Sequence, residues 1–424
     1  MRLGVVLSIL AALQLLAGLV VQLLVLRIVG VGPVTDAYVA AQAVPLVLAG
    51  LLSGSLQGLW LPRFARLAED PTALRREQAA SQGQVLRLLV GLCLPLWLGL
   101  PWWTRWMFPG FSSEQLAQVV ALSGPLLAAT LVNGQAALLL AAERARDRFI
   151  GIEVIALMGS FVMIGLVWLL VPRFGIVAAA WIALARAGMV YILYLRQCGW
   201  PPMALQPDAS SREVWQQARP LLSVALFIKS SPLVDRFWSS NGSGGDVTLL
   251  NIAQLAMNAL ASIVERSVLV RAVPEFAREL QRADLPGLQH SYLRCLARIG
   301  LVVLAVGVLL FAARPIWNGV MLRLLQTQPE GATQIWMMCL LLLPALFVAV
   351  AGSAAVAVFY AFGETRTPAA IGMFGFMTSI ALKGLFFASF GIVGIAAAAS
   401  TYLIFVMIAH QVAVSRKIAR AQTP

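Results

Sequence analysis

Long uncharged apolar runs alternate with short basic segments along the whole chain. Leu3–Leu26, Ala37–Pro62, Gln115–Ala142 and Gly331–Gly363 contain no Asp, Glu, Lys or Arg. A helix needs roughly 20 apolar residues to cross the hydrocarbon core of a bilayer, and each run is long enough. The full pattern predicts helical spans at 3–26, 37–61, 86–107, 116–142, 152–171, 175–195, 220–240, 247–270, 297–313, 333–360, 369–390 and 393–414. Tight turns at Val171–Val177 and Ala388–Gly394 join the fifth span to the sixth and the eleventh to the twelfth. The first run is too long for a cleavable leader, and no A-x-A site with a polar region follows it. The expected fold is an all-α polytopic membrane protein of about twelve transmembrane helices.

The segments between spans carry the basic residues. Arg2, the loop 63–87, "ERARDR" (Glu143–Arg148), the stretch 196–219, the loop 271–298, Arg366 and the tail "RKIAR" (Arg416–Arg420) hold most of the 31 Lys and Arg. All fall on one side of the membrane if the first span starts inside. Positive residues favour the cytoplasmic side, so both termini are expected there, in a bacterial cytoplasmic membrane.

The pattern also repeats. "LPRFAR" (Leu61–Arg66) and "VPEFAR" (Val273–Arg278) close spans two and eight, with Pro62 and Pro274 212 residues apart in a chain of 424. "AAERARDRFIG" (Ala141–Gly151) is echoed by "AFGETRTPAAIG" (Ala361–Gly372), and "FGIVAAA" (Phe174–Ala180) by "FGIVGIA" (Phe390–Ala396). Two six-span lobes are expected, 1–200 and 220–424, joined by a linker at 201–219 that carries Trp215 on a short surface helix. An even repeat keeps both halves in one orientation, so they should be related by a pseudo-two-fold axis along the membrane normal around a central cavity. Such a duplication suits a transporter working by alternating access.

Composition fits this reading. The chain is 60% hydrophobic and 12% charged, with a mean hydropathy of +0.85. The net charge of +13 is explained by the basic loops, so no nucleic acid partner is expected. Cys93, Cys198, Cys295 and Cys339 are scattered, and His290 and His410 lie far apart, which argues against a metal site. No phosphate-binding loop, H-E-x-x-H or G-x-S-x-G sequence occurs. An enzyme is not expected, nor a cofactor. The energy source would be an ion gradient, the membrane potential or the substrate gradient.

Polar residues inside spans mark candidate sites, because a charge in lipid is costly and usually faces a cavity or a partner. Span seven has Lys229, Asp235 and Arg236. Span eight has Asn251, Gln254, Asn258, Ser262 and Glu265 on one helical stripe, with Arg266 beside it. Arg186 is mid-span six and Lys383 mid-span eleven. Weaker polar stripes are Gln14, Gly18 and Gln22 in span one, Gly50, Ser53 and Gln57 in span two, and Thr130 and Asn133 in span four. Helix packing is the competing role for these small and amide residues. The deep charges are mainly cationic, which suits phosphate or pyrophosphate.

Several stretches resemble the lipid II flippase (MurJ) family of the MOP exporter superfamily. They are "GVGPVTDAYVAAQAVP" (Gly30–Pro45) with "LPRFAR", "MFPGFSSEQL" (Met107–Leu116), "VDRFWSS" (Val234–Ser240), "VTLLNIAQLAMNAL" (Val247–Leu260) with "VPEFAR", and "AFGETRTPAAIG". The resemblance implies a flippase for lipid-linked sugars. It points to Asp36, Pro62, Arg66, Pro274, Arg278, Glu364 and Arg366 as gating or structural residues. Three departures narrow it. Nothing between Arg2 and Arg27 is charged, where the family has arginines in span one. Leu255 stands where the family usually has Arg. Twelve spans are expected here against the family's frequent fourteen. Lys229, Arg266 and Lys383 are expected to supply the cationic role instead. The preferred substrate is therefore a polyprenyl-(pyro)phosphate-linked saccharide of envelope polysaccharide synthesis, handled with membrane lipids and envelope glycosyltransferases or a polymerase as partners. The alternatives are a lipid II flippase proper, a drug/cation antiporter and a non-transporting scaffold.

Overall fold

A computed structural model describes residues 2–51, 57–199, 226–227, 229–325, 329–364 and 366–422. Ser53, the whole linker 201–219 with Trp215, and the side chains of Gln57 and Arg271 lie outside the described part. The described residues form helices and connecting turns, with no strand among them. The helices are α1 (Arg2–Val29), α2 (Pro33–Ala41), α3 (Ala43–Gly50), α4 (Gln57–Arg66), α5 (Pro71–Leu98), α6 (Leu100–Met107), α7 (Ser113–Ala145), α8 (Ile150–Phe174) and α9 (Ile176–Cys198). They continue as α10 (Ser231–Ser239), α11 (Asp246–Gln281), α12 (Leu285–Ala312), α13 (Arg314–Leu325), α14 (Pro329–Leu341), α15 (Leu343–Ala361) and α16 (Arg366–Gln422).

Among the described residues, nine helical stretches are long and apolar enough to cross a membrane. This agrees with about twelve expected spans. Span two is broken into α2, α3 and α4, span seven is described only in part, and α16 contains two spans that turn at Gly391. The breaks have local causes. Gly391 has φ 60°, a left-handed conformation that Gly adopts without a Cβ penalty. Pro101 and Pro344 stand in the first turns of α6 and α15, where a missing N–H costs nothing but the preceding helix cannot continue through the ring.

The element lengths carry the repeat further than the sequence echoes do. α5 and α12 are both 28 residues long, and each is capped by an aspartate. Asp70 accepts from the backbone N–H groups of Thr72 and Ala73, and Asp284 from that of Gly287. A short proline-led helix follows each, with Trp103 and Trp317 at matching positions. Trp103 Nε1 donates to the Leu96 carbonyl and Trp317 Nε1 to that of Ala332. α7 spans 33 residues, and so does the broken pair α14–α15. α8 then ends at Gly175 (φ 70°) as the first half of α16 ends at Gly391.

The chain divides into two compact units, Met1–Gly245 and Asp246–Pro424. In the first, α7 packs against α9, α5, α2 and α4, and α1 against α8. In the second, α11 packs against α15, α12 and α14, and α15 against α16. Large apolar side chains such as Phe161, Leu301 and Phe374 are exposed on helix exteriors, as lipid-facing positions require.

Candidate functional site

The polar stripe of span eight lies on α11. Successive stripe positions three and four apart share one helix face. Ser262, Glu265, Arg266, Leu269, Val270, Val273 and Pro274 from that face, with Ser353 from α15, line an open cavity of about 630 Å³ in the second unit. The cavity is chemically graded along α11. One end carries the Ser262 hydroxyl, the Glu265 carboxylate and the Arg266 guanidinium. The other is lined by Leu269, Val270, Val273 and Pro274. Ser262 and Ser353 donate back to the Asn258 and Ala349 carbonyls of their own helices, at 2.9 and 3.3 Å. Their oxygen lone pairs remain able to accept. Below the cavity, Arg278 Nε donates to the Pro274 carbonyl at 3.2 Å.

A second constellation lies in the first unit, at the end that the basic-loop pattern places outside. Three loops meet there: Gly30–Gly32, the turn at Gly110, and Ser240–Gly245. Asp36 is 1% exposed and its Oδ2 accepts from the Gly245 backbone N–H at 2.5 Å. Arg236, also buried, donates through Nε to the Val39 carbonyl at 3.0 Å and through Nη1 to the Pro232 carbonyl at 3.2 Å. A Cβ on Gly110 would overlap the Ser240 carbonyl and the Asn241 backbone, and one on Gly244 would press on Pro33. α10, the start of the chain's second half, is thereby latched onto α2 and α3.

The structure distributes the predicted residues widely. Glu265, Arg266 and Pro274 share the cavity, while Gln254 and Asn258 lie further up the same helix. Lys229 is exposed and its aliphatic stem lies across Gly50, where an added Cβ would meet Cδ at 3.2 Å. Asp235 and Arg236 belong to the latch helix and are buried. Arg186 Nη2 donates to Ser160 Oγ at 3.3 Å between α9 and α8. Lys383 is 1% exposed, with Nζ 5.4 Å from the Tyr402 ring centroid. Pro62 sits inside α4, and Arg66 is exposed at its end. Arg366 is exposed at the start of α16.

The amides of span one make helix contacts. Gln14 donates to the Glu153 carbonyl and carboxylate, both at 2.9 Å, and Gln22 to Gln42 Oε1 at 3.1 Å. Glu364 pairs with Lys417 Nζ at 2.5 Å and accepts from Thr367, tying the loop before α16 to its far end. The Lys417 bond, then that of Thr367, holds the Glu364 carboxyl below its ordinary range. Ser353, Gly110, the 240–245 loop and Lys417 were not singled out by the sequence. "SSNGSGGD" (Ser239–Asp246) held a signal, since so many glycines allow close backbone approach.

A family model described as lipid II flippase MurJ matches residues 25–422. A search of curated proteins finds no sequence match. Among solved structures, the chain is similar to lipid II flippase MurJ in an inward closed conformation. The TM-score is 0.84 at 14% identity, covering 98% of this chain and 90% of that one. It is also similar to an inward-facing multidrug resistance MATE transporter of the MOP superfamily (TM-score 0.75, 15% identity, 96% and 95% covered). A third is a MOP superfamily transporter from Pyrococcus furiosus, described as having a binding pocket of reverse polarity (TM-score 0.69, 15% identity, 100% and 96% covered).

Proposed function

Because the chain belongs to the lipid II flippase MurJ family, we propose that it moves a polyprenyl-(pyro)phosphate-linked saccharide between membrane leaflets by alternating access. The observation that carries this reading is the graded cavity on α11. A lipid-linked sugar has an anionic phosphate, a hydroxyl-rich saccharide and an apolar tail. Arg266 offers a charge-assisted donor for phosphate oxygens. Glu265, Ser262 and Ser353 offer acceptors for sugar hydroxyls, and Leu269, Val270 and Val273 an apolar flank for the first isoprene units. The uncharged stretch between Arg2 and Arg27 favours a saccharide other than that of lipid II.

Glu265 also motivates a second reading, a drug/cation antiporter, since an acidic cavity residue is what a cationic substrate needs. Charge substitution separates the two. Cells dependent on this chain should accumulate lipid-linked saccharide on the cytoplasmic leaflet when Arg266→Glu replaces the wild type at equal abundance, and Glu265→Gln should transport more than Arg266→Glu does. If Arg266→Glu transports the lipid normally while Glu265→Gln abolishes drug export, the antiporter reading replaces this one.

A further inference from the structure

The core of the first unit contains polar groups with no stated task. On α5, the stripe Leu74, Gln78, Ser81, Gln82, Val85 and Leu89 is buried throughout. Leu74, Val85 and Leu89 pack with Trp60 of α4 and Leu138 of α7 in one apolar cluster. Gln78 and Gln82 therefore stand in the middle of that cluster's face, one helical turn apart. Gln135, one turn before Leu138, reaches across from α7, and its Nε2 donates to the Gln82 carbonyl at 3.4 Å. Exposure is 2% for Trp60, 4% for Gln78, 1% for Gln82 and 5% for Gln135.

Four polar atoms of these side chains have no hydrogen-bond partner among the described residues: Trp60 Nε1, Gln78 Nε2, Gln82 Nε2 and Gln135 Oε1. Three are donors and one is an acceptor. They come from three helices that pack on one another. A single buried orphan costs more than an ordinary hydrogen bond gains, so four on three mutually packed helices call for partners. Three unpartnered donors face one unpartnered acceptor, so pairing within the set leaves donors in excess. We infer that Trp60, Gln78, Gln82 and Gln135 form a buried hydration site holding ordered water between α4, α5 and α7. Water suits the set because it accepts from two N–H groups and donates to the Gln135 oxygen. Helices joined partly through water can shift against each other by exchanging hydrogen bonds. This gives the PRFAR end of span two a wet seam against its neighbours.

X-ray hydroxyl-radical footprinting of the intact purified protein tests this, because radicals form from the water that a side chain touches. Corrected for intrinsic ring reactivity, Trp60 should be oxidised faster than Phe64, its buried neighbour in the same cluster. The double variant Gln82→Leu/Gln135→Leu removes two groups that hold the water. It should lower Trp60 oxidation about fivefold or more, while the exposed Trp102 and Trp106 keep their rates. If that variant does not fold, Gln82→Met alone should lower the Trp60 rate about twofold. A wild-type Trp60 no more reactive than Phe64 overturns the proposal, as does a rate unchanged in the folded variant. A rate that rises when chloride is exchanged for gluconate identifies a bound anion instead, and also overturns it.

Discussion

Arg266 and Arg236 are the same residue type, 30 positions apart on successive helices, with opposite fates. Arg236 is buried and spends its donors on the carbonyls of Val39 and Pro232. Arg266 is exposed in the α11 cavity. Depth in a span signals that a cation must be satisfied, at a cost of ~3 kcal/mol or more if it is not. It does not say whether protein carbonyls or a substrate will do it. Glu265 and Arg266 were read from the sequence as candidates for a central cavity, and the structure shows them lining one within the second unit; the partners of Arg236 were not legible at all. Lys229 stands between these cases, exposed but with its stem on Gly50. If its ammonium contacts substrate phosphate, Lys229→Ala should lower transport about tenfold, the worth of one charged hydrogen bond. Lys229→Glu should lower it further by repulsion, with membrane abundance unchanged. Equal transport by the Ala and Glu variants, measured as lipid-linked sugar retained on the cytoplasmic leaflet, would show that the ammonium does not contact phosphate.

At the scale of elements, the loops do what the helices cannot. The latch depends on backbone approach, and glycine makes it possible. Gly245 has φ 105°, so Gly245→Ala should strain the closed loop by about 1–3 kcal/mol. Gly110→Ala collides with rigid backbone at Ser240 and Asn241. Both variants, and Asp36→Ala, should raise the reactivity of a cysteine placed at the buried Ser240 toward an impermeant thiol reagent. Unchanged reactivity in all three would show that these contacts do not hold the three loops together. The Glu364–Lys417 tether makes a different prediction. Hydrogen bonds to the charged carboxylate depress its folded pKa, so the tether's stabilisation is present above the ordinary carboxylate value and is lost as pH falls through the depressed one. Measured relative to the intrinsic rate of the free peptide at each pH, amide exchange near Glu364 and Lys417 should therefore be slow at neutral pH and speed up once pH falls below the ordinary carboxylate range. Glu364→Gln should show fast exchange at both, and a slow Gln variant would contradict the assignment. The turn at Gly391 was readable because glycine marks it, whereas the break at Gly99–Pro101 was read through by the single span expected over 86–107. The latch was not readable, because Asp36 and Gly245 are 209 residues apart and neither carries a pattern that names the other.

At the scale of the molecule, the sequence offers three echoes for a duplication, and some elements match in the same order. α5 and α12 match in length and cap, and Gly175 and Gly391 in left-handed backbone. The halves then diverge in chemistry. Span one offers uncharged glutamines that bond to neighbouring helices, whereas α11 offers Glu265 and Arg266. This asymmetry is what moves the proposed substrate away from lipid II. The topology proposal is independent of substrate. Reporter fusions after Arg148 and at Pro424 should both read cytoplasmic, and an external signal at either would break the even-span arrangement.

Translocation itself tests the central claim most directly. The purified chain would be placed in sealed vesicles with a polyprenyl-pyrophosphate-linked saccharide, and an impermeant glycan-cleaving enzyme would be added outside. With the wild type, lipid that starts in the inner leaflet should become cleavable, at a rate that Arg266→Glu reduces about tenfold or more. No gain of cleavable lipid over protein-free vesicles, or equal rates for the wild type and Arg266→Glu, would contradict the account.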